Sequence, residues 1–496
     1  MKSGFRSTWS SVQRTLHDFT RFWREEHEVP AVTPDLDRSG ALCVQKLMDE
    51  CLMARGGQVA ARQQAAILGE LYLKLNDKGR QRFFKIMVDD FAIDRGAAKQ
   101  AATELIEAID NRAFTESAAR LRQTLETPQQ HLLRLFNALP NGVKFLIDMR
   151  ADLLKFQRET PEFNPLDGEF RSLLATWFDV GFLEVERLEW SSPAVLLEKL
   201  ITYEAVHSIQ SWQDLHNRLE SDRHCYAFFH PVLPEEPLIF IEVALVEGLA
   251  TSIQTLLDQR TPEIDPVDAD TAIFYSISNT QQGLQGISFG PFLIKQVVTQ
   301  LQSELPNLKT FSTLSPLPGF RRWLSAYLKE VKAAGRDEPL IDHLSEAARA
   351  FGCLELLAVF DQPEWPQNHE HPEIKERLLC LAARYLHSLR EKDNAPLDPV
   401  ARFHLGNGAR IEQLNWLGDI SAKGMQESCG LMVNYLYRLK DIEKNIEAYA
   451  ASHQIAASSK IRNLMRDSVD DEKWLKTWTR LLTARKGSEP SAESSE

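Results

Sequence analysis

Ala272-Ile-Phe-Tyr-Ser-Ile-Ser278, then Asn-Thr-Gln-Gln-Gly-Leu-Gln-Gly-Ile-Ser-Phe-Gly over 279–290, then Phe292 to Leu305 decide the fold. Residues 272–277 are a short run rich in β-branched and aromatic side chains, which predicts a strand. Ile294, Val298, Leu301 and Leu305 recur at helix-face spacing, which predicts an amphipathic helix over 291–305. Between the two, Gly283, Gly286 and Gly290 let the backbone approach a ligand closely. N–H groups at a helix start carry partial positive charge, so the unit has the makings of a phosphate or pyrophosphate site. It lacks the Gly-Lys-Ser/Thr of a P-loop and the glycine spacing of a dinucleotide fingerprint. A glycine-rich turn before a helix is also a common connector.

Upstream the sequence predicts helices over 61–78, 80–91, 97–109, 116–125, 128–139 and 143–156, with no strong strand signal before about residue 180. No chemistry is visible in these helices, and their expected use is structural or oligomeric. Glu162-Phe-Asn-Pro-Leu-Asp-Gly168 predicts a turn-rich break. After it come β-rich runs at 225–229 and 238–245 among helices at 194–203 and 212–219, the alternation of a mixed α and β domain. Farther on we expect a helix over 374–390, a Pro- and Gly-rich loop over 395–410 and further helix over 430–452.

The chain has 496 residues, 43 % hydrophobic and 26 % charged, which is ordinary globular composition for two or three domains of about 150 residues. The net charge of −13 argues against a sequence-independent nucleic-acid binder. Leu238 to Val246 is the most apolar stretch; Glu242 interrupts it, and it is too short to cross a bilayer. Cys43, Cys51, Cys225, Cys353, Cys380 and Cys429 lack Cys-x-x-Cys spacing, so reduced thiols are expected. Met1 to Arg24 holds Lys2, Arg6, Arg14, Arg21 and Arg24 against the single acid Asp18. It reads either as a solvated helix starting near Thr8 or as an amphipathic organelle-import peptide. Residues 487–496 read as a polar tail.

Two later loops bear on chemistry. In Phe311-Ser-Thr-Leu-Ser-Pro-Leu-Pro-Gly-Phe320 the position of Ser315 before Pro316 restricts the direction of its hydroxyl. Arg321 and Arg322 follow, facing either phosphate or water. His404 sits between Phe403 and Leu405, beside Gly406 and Gly408, either as a structural histidine or as an acid/base. His369-Glu-His371 has no obvious third ligand, so no metal site is expected.

Taken together, Tyr275–Lys295, Ser312–Phe320, Arg402–Ala409, Asn415-Trp416, Ser428–Met432 and Asn434-Tyr435 resemble the malonyl-CoA decarboxylase family. The resemblance runs from about Leu200 to about Tyr437; the first 175 residues resemble the family's helical N-terminal domain in kind. It implies an α+β protein: an all-helical N-terminal bundle (1–175, oligomerisation), then a GNAT-like acyl-CoA-binding catalytic domain (176–486), then the tail. It further implies that a splayed strand and the loop Gln285, Gly286, Ile287, Ser288, Phe289, Gly290 and Pro291 bind the CoA portion. Ser288 stands where the ordinary acetyltransferase loop has its first glycine, which argues against acetyl transfer. Ser315 and His404 are the implied catalytic pair, with Tyr437 in a supporting, substrate-side position.

The activity implied is decarboxylation of malonyl-CoA to acetyl-CoA and CO2 without cofactor or metal, by a homo-oligomer of four subunits, in the cytoplasm. The expected general acid is His404 with a pKa near neutrality, and Ser315 orients the malonyl carboxylate or relays a proton. The alternatives are a CoA-dependent N-acyltransferase and a non-catalytic acyl-CoA sensor.

Overall fold

The computed structural model describes residues 30–53, 57–178, 183–233, 235–287, 293–367, 371–391 and 393–466. The expected helix near Thr8 and the polar tail lie outside them. The chain forms two compact units. The first takes the helical region up to Glu184, together with Phe228–Ile239 and the loop that begins at Asn279. The second holds Val185–Ala227, Phe240–Ser278 and the later part of the chain.

In the first unit, side-chain caps set the helix starts. Asn76 accepts from the Gly79 N–H to open Asp77–Asp90, so the helix expected to run to residue 78 stops at Lys74. Thr127 caps Pro128–Asn137, with Pro128 in the first turn, where a missing N–H costs nothing. The break expected at 162–168 is instead a 3-10 turn, Pro161–Phe163, leading into the helix Asn164–Trp177. Pro165 in its first turn starts this helix rather than ending one. Tyr72 packs edge-on against Phe83, Phe84 and Phe145 in the core. Its hydroxyl donates to Asp152, 3.0 Å away, which also pairs with Arg80 at 2.9 Å.

The helix Gly142–Gln157 also seats the start of the glycine-rich loop. Fully buried Arg150 pairs with Asp167 (2.8 Å) and donates to the Gly283 carbonyl (2.5 Å). Arg171 donates to the Gly286 carbonyl at 3.3 Å. A Cβ on Gly283 would stand 1.8 Å from the Ile147 carbonyl oxygen, so only glycine fits.

The strands are β1 (Glu184–Leu188), β2 (Arg223–Phe229), β3 (Ile239–Val246), β4 (Thr271–Asn279), β5 (Thr310–Thr313), β6 (Ser315–Pro316), β7 (Arg410–Asn415) and β8 (Met432–Tyr437). They form one sheet in the order β1-β2-β3-β4-β5-β8-β6, with β7 paired to β8. Helices occupy Ala194–Tyr203, Trp212–Asn217 and Leu293–Glu304, close to expectation. Two expectations fail. The stretch 430–452 is β8 followed by the helix Leu439–Ser452, because Cys429 (φ 53°) and Gly430 (φ 80°) end the helix Ala422–Ser428 and release an extended run. Every residue of β8 is buried, so it shows no polar alternation to mark it as a strand. The loop expected over 395–410 contains the helix Pro399–Gly406, opened by the Asp398 cap and Pro399. The α+β class stands.

Candidate active site

The site grows from an opening in the sheet. β4 and β5 run parallel, in register from Thr271↔Thr310 to Phe274↔Thr313. One more bond, from the Leu314 N–H to the Phe274 carbonyl (3.0 Å), closes the pairing. β4 then continues to Asn279, whereas β6 pairs with β8 instead. The parallel pair therefore splays just before Ser315.

Ser315 lies opposite Val433 of β8, with Pro316 opposite Met432. Its Oγ is 3.2 Å from His404 Nε2 and donates to Thr313 Oγ1 at 2.9 Å. His404 Nδ1 is 2.8 Å from the Tyr437 hydroxyl. The ring stacks on Tyr435 with centroids 4.5 Å apart. All five side chains are buried. The Tyr435 hydroxyl has no hydrogen-bond partner among the described residues.

His404 comes to this point on the helix Pro399–Gly406. Asp398 caps the helix by accepting from the Ala401 N–H at 2.7 Å, and its other oxygen accepts from Tyr385 at 3.0 Å. Burial pushes the Asp398 carboxyl up to about 6. The Tyr385 hydroxyl lies 2.3 Å from where a Cβ on Gly319 would stand, so the turn after Ser315 packs directly on it.

Burial alone lowers the His404 pKa to about 3. The expectation of a near-neutral pKa is therefore corrected: among the described residues no carboxylate stands by to stabilise an imidazolium, and burial favours the neutral ring.

Ser315, His404 and Tyr437 thus meet in the second unit. Gln285, Gly286 (φ 76°) and Ile287 lie in the first. Ser288, Phe289, Gly290 and Pro291 lie outside the described residues. Arg321 is held by Asp361 and by the Leu357 carbonyl. His371 stacks on Trp365, and His369 lies outside the described residues. Among the described residues no group of three or more His, Cys, Asp or Glu is placed to hold a metal ion. The sequence reading missed Thr313, Asp398 and Tyr435. Asp398-Pro399 carries the cap-then-proline signature of a helix start, whereas nothing in the sequence marks Thr313.

A helical unit, a mixed sheet with a splayed parallel pair and a buried Ser–His–Tyr line define an α+β enzyme. Residues 181–475 match the malonyl-CoA decarboxylase C-terminal domain, and residues 91–178 match the malonyl-CoA decarboxylase N-terminal domain. The chain belongs to the malonyl-CoA decarboxylase family. It is 36 % identical over 444 residues to the mitochondrial malonyl-CoA decarboxylase of Mus musculus, covering 84 % of this chain and 85 % of the relative. The malonyl-CoA decarboxylase structure from Rhodopseudomonas palustris is 42 % identical with a TM-score of 0.77, covering 85 % of this chain and 99 % of that one. The one from Agrobacterium vitis is 41 % identical with a TM-score of 0.75, over the same shares.

Proposed function

We propose that this protein converts malonyl-CoA to acetyl-CoA and CO2, with His404 as general acid, Ser315 as its partner and Tyr437 as support. The observation that carries the reading is the neutral, buried Ser315–His404–Tyr437 line where the sheet opens. The bond between the carboxylate carbon and Cα breaks, CO2 leaves, and the electron pair moves onto the thioester oxygen as an enolate. The thioester carbonyl is itself the electron sink, so the chemistry needs no cofactor. His404 Nε2 then gives its proton to Cα, and solvent restores the ring. A thioester enolate is basic enough to take a proton from neutral imidazole, as a neutral histidine electrophile does elsewhere. Apolar and aromatic walls suit this step, because charge formed in a dry pocket is poorly screened.

In this reading Gln285 to Pro291 bind the CoA portion, residues 176–486 carry the chemistry, and residues 1–175 make subunit contacts in a tetramer. The helix Asn111–Leu125 supports the last point, since it buries none of its residues. Phe114 and Leu125 stand exposed on it, and Ile106 and Ile109 stand exposed just before it. Light scattering should return four subunits. We place the protein in the cytoplasm; an organelle matrix is the second reading, in keeping with the mitochondrial name of the mouse relative.

Incubation with malonyl-CoA, without added metal or amine, tests the activity. Acetyl-CoA and CO2 without free thiol is the expected result. Free CoA thiol made only with an amine acceptor would mean acyl transfer, and an intact substrate that still protects against heat would mean a sensor.

A further inference from the structure

The β5–β8 ladder has a gap at Thr313. Phe311↔Tyr437 and Ser312↔Leu436 on one side, and Ser315↔Val433 and Pro316↔Met432 on the other, share one antiparallel register. That register places Thr313 opposite Tyr435. There, side chains take over bonds that main chains make elsewhere. The Tyr435 N–H donates to Thr313 Oγ1 (3.1 Å), and the Asn434 side-chain amide donates to the Thr313 carbonyl (2.6 Å). Ser312 Oγ donates to the Tyr435 carbonyl (3.2 Å). Asn434 is fixed in turn by Asn415, whose amide donates to its side-chain oxygen at 2.7 Å. A ladder in register has no need of this substitution for its own sake. Its effect is to offer the Thr313 hydroxyl oxygen to Ser315.

We propose that Thr313 is a positioning residue that fixes which nitrogen of His404 carries the proton. The inference rests on the decarboxylase reading of the site. Ser315 spends its hydrogen on Thr313 Oγ1, so its oxygen turns a lone pair toward His404 Nε2. Nε2 must then hold a hydrogen. In a neutral imidazole the other nitrogen is bare, and Nδ1 accepts the hydroxyl hydrogen of Tyr437. One chain of donors thus runs Tyr437 to His404 to Ser315 to Thr313, and it leaves the transferable proton on the nitrogen beside Ser315. Without the Thr313 oxygen, Ser315 turns its hydrogen onto Nε2 and the ring takes the opposite tautomer, with its proton on the far side.

The test compares Thr313→Val, which keeps the shape and removes the acceptor, with Thr313→Ser, which restores it. Thr313→Val is expected to lower kcat about tenfold to a hundredfold, at or below the lower end of acid–base contributions because the residue acts through Ser315, while KM for malonyl-CoA moves less than about twofold. Thr313→Ser should regain most of the rate. Nitrogen-15 shifts of labelled His404 should show hydrogen on Nε2 in the wild type and on Nδ1 in Thr313→Val. A wild-type ring protonated at Nδ1 overturns the inference even if Thr313→Val does not fold, and so does a folded Thr313→Val with wild-type kcat. A wild type that makes no acetyl-CoA overturns the decarboxylase reading instead, and the labelled histidine still reports the direction of the chain.

Discussion

His404 is surrounded by a serine, two tyrosines and a phenylalanine, with no carboxylate in contact among the described residues. Its ring therefore stays neutral far below the pH at which a free histidine gains its proton. Because kcat/KM reports the groups of the free enzyme, it should show no inflection from His404 between about pH 5 and 8. An acid that worked as imidazolium would instead lose rate as pH rises through about 6.5. A profile falling through that value, and losing the fall in His404→Gln, would contradict the neutral form. His404→Ala should lower kcat by about a hundredfold to ten-thousandfold, with CoA-thioester binding retained by calorimetry. That Ser315 and His404 belong together was legible because their flanking motifs are long, and the two side chains do meet. The protonation state was not, since it depends on which aromatic rings the chain folds around the imidazole.

The helix Pro399–Gly406 is a short element held at one end. Asp398 caps it, and Tyr385 ties that cap to the turn at Gly319. Asp398→Ala should cost about 2–4 kcal/mol, combining a lost cap with a buried tyrosine hydroxyl left unpaired. Chemical denaturation measures it, and a cost below about 0.5 kcal/mol, the level of a neutral surface change, would show that the cap is dispensable. Gly319→Ala drives a methyl into the Tyr385 hydroxyl and should lower both kcat and the unfolding midpoint. Elements were read well where periodicity and caps agree, as over Ala194–Tyr203. They were misread where burial on both faces erases the pattern, as in β8, or where a glycine-rich composition masks a cap, as at Asp398.

Across the whole molecule, buried titratable groups govern the response to acid. Burial lowers His207 and His224 to about 4 and His404 to about 3. As pH falls below 6.5 the unfolded chain binds protons that these folded sites refuse, so stability is lost, at up to about 1.4 kcal/mol per pH unit for each site. Glu242 (raised to about 7) and Asp398 (raised to about 6) act in the opposite sense. Their stabilising protonation is complete below the unfolded carboxyl pKa and lost as pH rises through the folded value. The three histidines outweigh the two carboxyls, which offset part of the loss until pH falls below their unfolded values of about 4.5 and 3.8. The thermal midpoint should therefore fall steadily from about pH 6 to about 3.5, as stability drops by one site's worth, about 1.4 kcal/mol per pH unit, and level off as the folded histidines themselves take up protons. A midpoint that holds steady down to about pH 3.5 would refute the assignment of these histidines as buried and neutral.

The fit of Gly283 against Ile147 bears on how members of this family can be recombined. The order of residues along the chain suggests a clean cut between helices and sheet, yet the turn from Asn279 to Ile287 is shaped by Arg150, Asp167 and Ile147. A chimaera that joins the helical region of one relative to the remainder of another would part that turn from the surface moulded to it. The exchangeable piece is discontinuous: the helices travel together with Phe228–Ile239 and with the turn that begins at Asn279.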